Sequence, residues 1–272
     1  MVDWHREHRR ASILARKPRA VSASLRSDRG VGLPVVYVPG IDGTGALLLG
    51  LEERIERNKR LLTIRYDMSP EPTPGSYEEL AASVAEVIRR AGVERCLILA
   101  ESFGGAVALR LAADHPEIVG GLMIINSFAY FPERINIEFA LRMTQVMPNP
   151  IFHFARLWIA PMRLFGQRRD PQALLDFRAL KGSEFDAGYC RRMKMIKNLD
   201  MRSRLALVKQ PTALYAGDAD KIVSSVGCLS DIKRVLSDAT LEIIPGGGHL
   251  ILPLAAEPWV ERIDALALRA GF

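Results

Sequence analysis

Apolar positions along the 272-residue chain cluster into short, strand-sized runs separated by segments of helical spacing. The runs are "LPVVYVPG", "RLLTIRYDM", "CLILA", "GLMIINS", "PTALYAG" and "TLEIIPG". Between them, "GALLLGLEERIERN" sets Leu47, Leu51 and Ile55 on one helical face. Ser76 opens a second helix that runs through Ala91, with Glu79 three residues on completing a capping-box pattern. Phe103 to Asp114 reads as a third helix, and Pro258 to Arg269 as the closing one. Apolar strands that do not alternate strictly, divided by helices, predict an α/β fold: a mostly parallel sheet with helices on both faces. Residues 128–209 break the alternation. They are helical in pattern, rich in Met, Phe and Arg, and contain no convincing strand, so they are expected to form a helical cap inserted over one end of the sheet.

This pattern gives an organisation. Residues 31–127 and 210–272 form the core, 128–209 the cap, and 1–30 a basic extension whose Arg/Ser/Ala composition favours a flexible tail over an edge strand. The formal net charge is +6, unevenly placed. Residues 1–30 carry a surplus of five positive charges and 128–209 a surplus of eight, which leaves the remainder net acidic by seven. A solvated tail and a solvated helical face account for this more simply than nucleic acid, although the basic cap could also meet an anionic carrier or a lipid surface. No apolar run is long enough to span a membrane, and the N-terminus has no continuous apolar stretch of the secretory type. Three unpaired cysteines, Cys96, Cys190 and Cys228, form neither a disulfide framework nor a zinc motif and favour a reducing compartment, the cytoplasm.

The candidate chemistry lies where "CLILA" passes into helix through Glu-Ser-Phe-Gly-Gly. A sharp strand-to-helix turn projects its central side chain above the C-terminal edge of the sheet. The residues two before and two after must be small, because the two backbones nearly touch. Ala100 and Gly104 flank Ser102 at those offsets, a nucleophile-elbow arrangement with alanine in place of the first glycine. A serine hydroxyl needs an imidazole to take its proton and a carboxylate to orient that imidazole. In this arrangement the acid and then the base should follow at the ends of later strands. "ALYAGDAD" supplies Asp218 and Asp220, and "LEIIPGGGHL" supplies His249 after three glycines that let the backbone approach the site. Of the other histidines, His5 and His8 lie in the tail, His115 ends the elbow helix and His153 sits in the cap. Asp220 is favoured over Asp218, which directly follows Gly217 and suits a turn.

Acyl transfer also needs two oxyanion donors. The amide of Phe103 stands at a helix start, and the amide of Ile41 follows Gly40, which frees the loop after the first core strand. The glycines of "PGIDGTG" match neither a P-loop nor a dinucleotide fingerprint.

Together these motifs resemble the α/β-hydrolase superfamily from about Val35 to the C-terminus. "PGIDGTG" with "ESFGG" is similar to a subgroup of bacterial hydrolases and to the hydrolase-like domain of plant phytyl ester synthase/diacylglycerol acyltransferases. Pro39-Gly40 replaces the His-Gly common at the oxyanion loop. The resemblance implies a serine esterase acting on a small-molecule carboxylic ester, acyl or lipid-like, through Ser102, His249 and Asp220 without metal or cofactor. An acyltransferase with an alcohol acceptor is the alternative, and a non-catalytic interaction protein a remote one. Phe139, Met143, Phe152, Phe154, Trp158, Met162 and Phe165 of the cap are expected to offer an apolar lining for an acyl chain.

Overall fold

A computed structural model describes residues 21–68, 75–131, 137, 138, 141, 142, 151, 158–168, 170–180 and 187–272. Seven strands form one sheet: β1 (Val21–Arg29), β2 (Leu33–Val38), β3 (Lys59–Met68), β4 (Cys96–Glu101), β5 (Val119–Ile125), β6 (Thr212–Gly217) and β7 (Ala239–Ile244). Their order across the sheet is β1-β3-β2-β4-β5-β6-β7. Only β1 runs antiparallel to its neighbour.

Helices α1 (Leu51–Glu56), α2 (Tyr77–Arg90) and α3 (Phe103–Asp114) precede the cap region, and α7 (Ser225–Val235) and α8 (Trp259–Arg269) follow it. Alternate strand residues face opposite cores. Val36, Ile98, Ile124 and Leu214 pack with α2, α3 and α7. Val35, Leu97, Met123 and Ala213 pack with α1 and α8, where Trp259 is fully buried. Burial on both faces is why the strands read as continuous apolar runs. Ser76 closes the expected capping box with Glu79. By contrast, α1 is shorter than its pattern suggests. Leu49 and Gly50 both adopt positive φ, so the helix begins only at Leu51.

The expectation of a flexible extension over 1–30 needs correction. Residues Val21–Arg29 form edge strand β1, paired with β3 through a bulge between Leu25 and Ser27, and the core begins at Val21 rather than at residue 31. The Ala23 amide donates to Ser83 Oγ of α2 at 2.9 Å, and Asp28 receives two hydrogen bonds from Arg60. Residues 1–20 lie outside the described residues.

Between β5 and β6 the described elements are α4 (Ala160–Leu164), α5 (Pro171–Ala179), α6 (Ala187–Lys197) and a 3-10 turn (Arg202–Leu207). Two isolated bridges, Tyr130 with Asp200 and Gly166 with Gly247, are the extended pairings among the described residues of this region.

Because β1 covers the β3 edge, a chain beginning at Gly30 is expected to melt several degrees below the full chain and to aggregate through the exposed strand, at about 2–4 °C per kcal/mol for a protein of this size. An unchanged thermal midpoint would place β1 outside the cooperative fold.

Candidate active site

Ser102 sits at φ 52° and ψ −123°, in the positive-φ region that costs a non-glycine residue about 1–3 kcal/mol. The surroundings leave it no alternative. Its amide donates to Ile125 O at 2.9 Å, and its carbonyl accepts from Ser127 Oγ at 2.7 Å and Gly105 N at 3.0 Å. A methyl group on Gly104 would collide with the carbonyls of Val38 and Pro39, and one on Gly105 with the Ser127 side chain. The neighbouring Phe103 ring is fully buried between Tyr66 and Tyr77, with centroids 5.7 and 5.0 Å away.

Above this turn, three side chains fall in line. His249 Nε2 lies 2.9 Å from Ser102 Oγ, and its Nδ1 lies 2.8 Å from Asp220 Oδ2. With the proton on Nδ1, the ring donates to Asp220 and its Nε2 accepts from the serine hydroxyl. Asp220 also accepts from the amides of Ile222 (2.8 Å) and Val223 (3.1 Å) and from Ser225 Oγ (2.5 Å). Asp218 instead accepts from the Gly246 amide at 2.6 Å, closing the turn before His249. His115 lies on the surface beside Arg89 and Glu117, and His5, His8 and His153 are outside the described residues.

The electrostatics follow from burial and pairing. Burial pushes His249 toward its neutral form. Asp220's charge and hydrogen bond, with Glu101 behind, outweigh this and raise the imidazole above its ordinary 6.5. Burial likewise opposes ionisation of Asp220, but His249, Ser225 and the Ile222 amide hold it below the usual carboxylate range. Glu101, just before Ser102, is pushed up to about 7, chiefly by burial, although it shares a short hydrogen bond with the Tyr37 hydroxyl that acts the other way.

Several site residues escaped the reading of the sequence. Asn126, at φ 45° beyond β5, donates through Nδ2 to the carbonyls of Gly248 (2.9 Å) and His249 (2.8 Å) and accepts the Gly217 amide at 2.8 Å. It thus ties the end of β6 to the His249 loop. The only available signal was a polar residue ending an apolar strand. Of the glycines before His249, Gly248 lies against the cap, and Gly247 and Gly248 lie against Gly217 at the end of β6. A methyl on Gly248 would strike Leu164, Phe165 and Gly166, and one on Gly217 would strike Gly247 and Gly248. Gly40 is not sterically required either. A methyl there would sit 3.7 Å from Ser102 Cβ, in ordinary contact. Gly43 (φ 70°) and Gly45 (φ 72°) are the loop positions that need glycine. Ile41 is partly buried, and the Phe103 amide is first in α3, where no intrahelical acceptor is available to it.

The expected apolar lining of the cap divides. Phe139, Met143, Phe152 and Phe154 lie outside the described residues. Trp158 and Met162 are exposed. Phe165 is fully buried, with its ring against Phe177 and in one cluster with Leu250, so it packs the cap onto the His249 loop. An open groove of about 620 Å³, lined by Ile159, Met162, Arg163 and Lys221 among others, touches neither Ser102 nor His249. Among the described residues, no group of three or more His, Cys, Asp or Glu side chains is placed to hold a metal ion. Nor is any helix among them long and apolar enough to cross a membrane.

Comparison with known proteins identifies the family and the fold. A family model described as alpha/beta hydrolase fold matches residues 66–256. A Klebsiella pneumoniae protein named "Putative carbamate hydrolase RutD" is 23% identical over 233 residues, covering 80% of this chain and 85% of that one. Among solved structures, a hydrolase from Pseudomonas aeruginosa superposes with a TM-score of 0.74 at 20% identity, over 93% of this chain and 94% of that one. A thermophilic esterase from Thermogutta terrifontis gives 0.73 at 21% identity over the same shares, 93% and 94%. At these identities the superpositions speak for the fold alone.

If the positive φ of Ser102 stores strain, Ser102→Gly should be more stable than Ser102→Ala by about 1 kcal/mol, since both lose the hydroxyl and only glycine relieves the backbone. Chemical denaturation of the two variants measures this directly. Equal midpoints would mean that the turn is unstrained.

Proposed function

The chain belongs to the alpha/beta hydrolase family, and from that membership we propose that it is a serine hydrolase of carboxylic esters. The observation that carries the reading is the buried line Asp220–His249–Ser102, with separations of 2.8 and 2.9 Å. Ser102 Oγ attacks the ester carbonyl carbon while its proton passes to His249 Nε2, and Asp220 steadies the imidazolium that forms. The oxyanion of the tetrahedral intermediate is received by the amides of Ile41 and Phe103. The intermediate collapses with cleavage of the carbonyl carbon–alkoxy oxygen bond, and His249 gives its proton to the departing alcohol. Water then attacks the acyl group on Ser102, passing its proton to His249, and the acid leaves as the proton returns to Ser102.

An esterase and an enol-lactonase are among the proteins that share the fold over more than nine-tenths of this chain, and an ester is the substrate class we put first. A carbamate, the compound class in the name of the Klebsiella relative, would need the same attack by Ser102, with His249 giving its proton to a departing amine or alcohol. The cap's surplus of positive charge, with Arg163 and Lys221 beside the exposed Ile159 and Met162, supports docking of an anionic carrier or lipid surface there.

The test is hydrolysis of p-nitrophenyl esters from acetyl to palmitoyl, with a carbamate and an added alcohol acceptor as competing arms. Turnover should vanish in Ser102→Ala. Equal rates in wild type and variant would sink the assignment, and acyl groups captured by alcohol in preference to water would make the protein a transferase.

The pH profile offers a second check. Only neutral imidazole accepts the serine proton, and its pKa is raised, so kcat/KM should rise with pH through an acid limb centred above 6.5. Asp220→Asn removes the charge that holds the proton and leaves the burial that expels it. The limb should therefore move to lower pH, while kcat falls by about 10³–10⁴. A limb that stays in place would remove Asp220 from its role.

A further inference from the structure

Among the described residues of the cap, Arg192 is the one basic side chain that is strongly buried, only 2% exposed on helix α6. Its guanidinium does not point outward. Nε donates to the carbonyl of Ile41 at 2.5 Å and Nη2 to the carbonyl of Asp42 at 2.9 Å, contacts that span 151 and 150 positions of chain. The loop is shaped to receive it. Gly43 adopts φ 70°, and a methyl there would stand 2.9 Å from Arg192 Cζ, 3.0 Å from Nη1 and 3.1 Å from the Tyr66 ring. The backbone at residue 43 therefore lies flat on the guanidinium, and only glycine permits the approach.

The rest of the loop is held from the core side. The Tyr66 hydroxyl donates to Pro39 O at 2.8 Å, the Tyr66 amide to Gly43 O at 2.8 Å, and the Gly43 amide to Gly40 O at 3.1 Å. The last contact turns the Gly40 carbonyl inward along the loop. Because a trans peptide sets its N–H opposite its C=O, the Ile41 amide then faces the other way. The carbonyl that follows, that of Ile41 itself, is one of the two gripped by Arg192. The peptide before Ile41 is thus set by a bond within the loop, whose Gly43 carbonyl is tied to Tyr66 of the core, and the two carbonyls after it are held from the cap.

We propose that Arg192 is a positioning residue that fixes the Ile41 amide as an oxyanion donor, so that seating of the cap helix and stabilisation of the transition state are one event. This rests on the esterase reading above. Arg192 itself touches no reacting atom. It acts by denying the loop the rotations that would turn the Ile41 amide away from the carbonyl under attack. Half-buried Asp42 accepts from the Thr44 amide and hydroxyl; burial raises its carboxyl above the usual carboxylate range, while those bonds and the Arg192 charge favour its ionised form.

The experiment compares wild type, Ser102→Ala, Arg192→Met, Arg192→Lys and Gly43→Ala on one p-nitrophenyl ester. Alongside turnover it measures the affinity of a trifluoromethyl ketone, which forms a tetrahedral oxyanion on Ser102. Arg192→Met should lower kcat by about 10–100-fold with KM within about threefold, since misplacing one donor forfeits part of the 10²–10³ it supplies. Ketone affinity should fall in step with kcat/KM, and Arg192→Lys, able to reach one carbonyl, should recover several-fold. Gly43→Ala should reproduce the loss from the opposite side, and the double variant should add little to either single change.

Wild-type kcat in Arg192→Met, or a change confined to KM, would reduce Arg192 to a packing contact and overturn the proposal. If Arg192→Met fails to melt cooperatively, Gly43→Ala decides: a kcat loss with KM held supports the proposal, and unchanged kcat overturns it. Turnover surviving in Ser102→Ala would fault the esterase reading itself, an outcome separate from all of these.

Discussion

The top of the sheet is governed by one backbone approach, that of Gly104 at the start of α3 against the carbonyls of Val38 and Pro39 at the end of β2. Without it the chain could not turn from β4 into α3 within a single residue, and Ser102 would not be driven to positive φ. The same approach carries the loop bearing Ile41 toward Ser102, because the residues after Val38 must leave the strand directly over the start of α3. The proposed nucleophile and the proposed oxyanion donors are thus two results of one packing constraint. Apolar burial holds that constraint in place, since Phe103 is locked between Tyr66 and Tyr77 and Tyr66 returns its hydroxyl to Pro39.

Polar groups buried above the apolar core then set the register of the strand ends. Asn126 satisfies its side-chain donors on the His249 loop and its acceptor at Gly217, and Ser127 holds the carbonyl of Ser102. Each such bond adds only about 1 kcal/mol net, but an unpaired buried partner costs about 1–3 kcal/mol. Slippage of one strand against the next would orphan several groups together. The line from Asp220 to Ser102 therefore relies on penalties against displacement more than on strong attraction within the line. Asp220 shows the same logic, since two amides and a hydroxyl hold it before His249 is counted.

Features whose chemistry imposes a local pattern could be read from the sequence. The doubly buried strands show as apolar runs, the elbow demands small residues at fixed offsets from Ser102, and Asp220 and His249 each follow a late strand. What could not be read depends on partners distant in sequence or on weak patterns. Arg192 grips backbone carbonyls, which carry no side-chain signature, and in the sequence it is one arginine among many in a basic cap. Strand β1 lacks an apolar run because it is an edge strand. "VSASLRSDR" does alternate, with Ala23 inward, but the bulge after Leu25 interrupts the period and its polar composition resembles a tail. The late start of α1, after Leu49 and Gly50, comes from backbone conformation that helical spacing of leucines does not report.

The cap's contacts bear on how the site is assembled. Arg192 meets the loop bearing Ile41, while Leu164 to Arg168 pair with the loop before His249. Leu250 N donates to Leu164 O at 2.8 Å, and the Gln167 and Arg168 amides donate to Gly246 O at 2.9 and 3.2 Å. Gly248 is the glycine that admits that segment, and Phe165 fills the space beside Leu250. Both loops that complete the site around Ser102 are therefore braced from the same insertion, one by a guanidinium and one by backbone. A lid that merely covered a finished site could move without disturbing it. An insertion bonded to both loops cannot, because displacing it would leave the Ile41 and Asp42 carbonyls and the Leu164 carbonyl in search of new donors. On the proposed mechanism, the cap's hold at these two attachments is thus a condition for the reactive geometry.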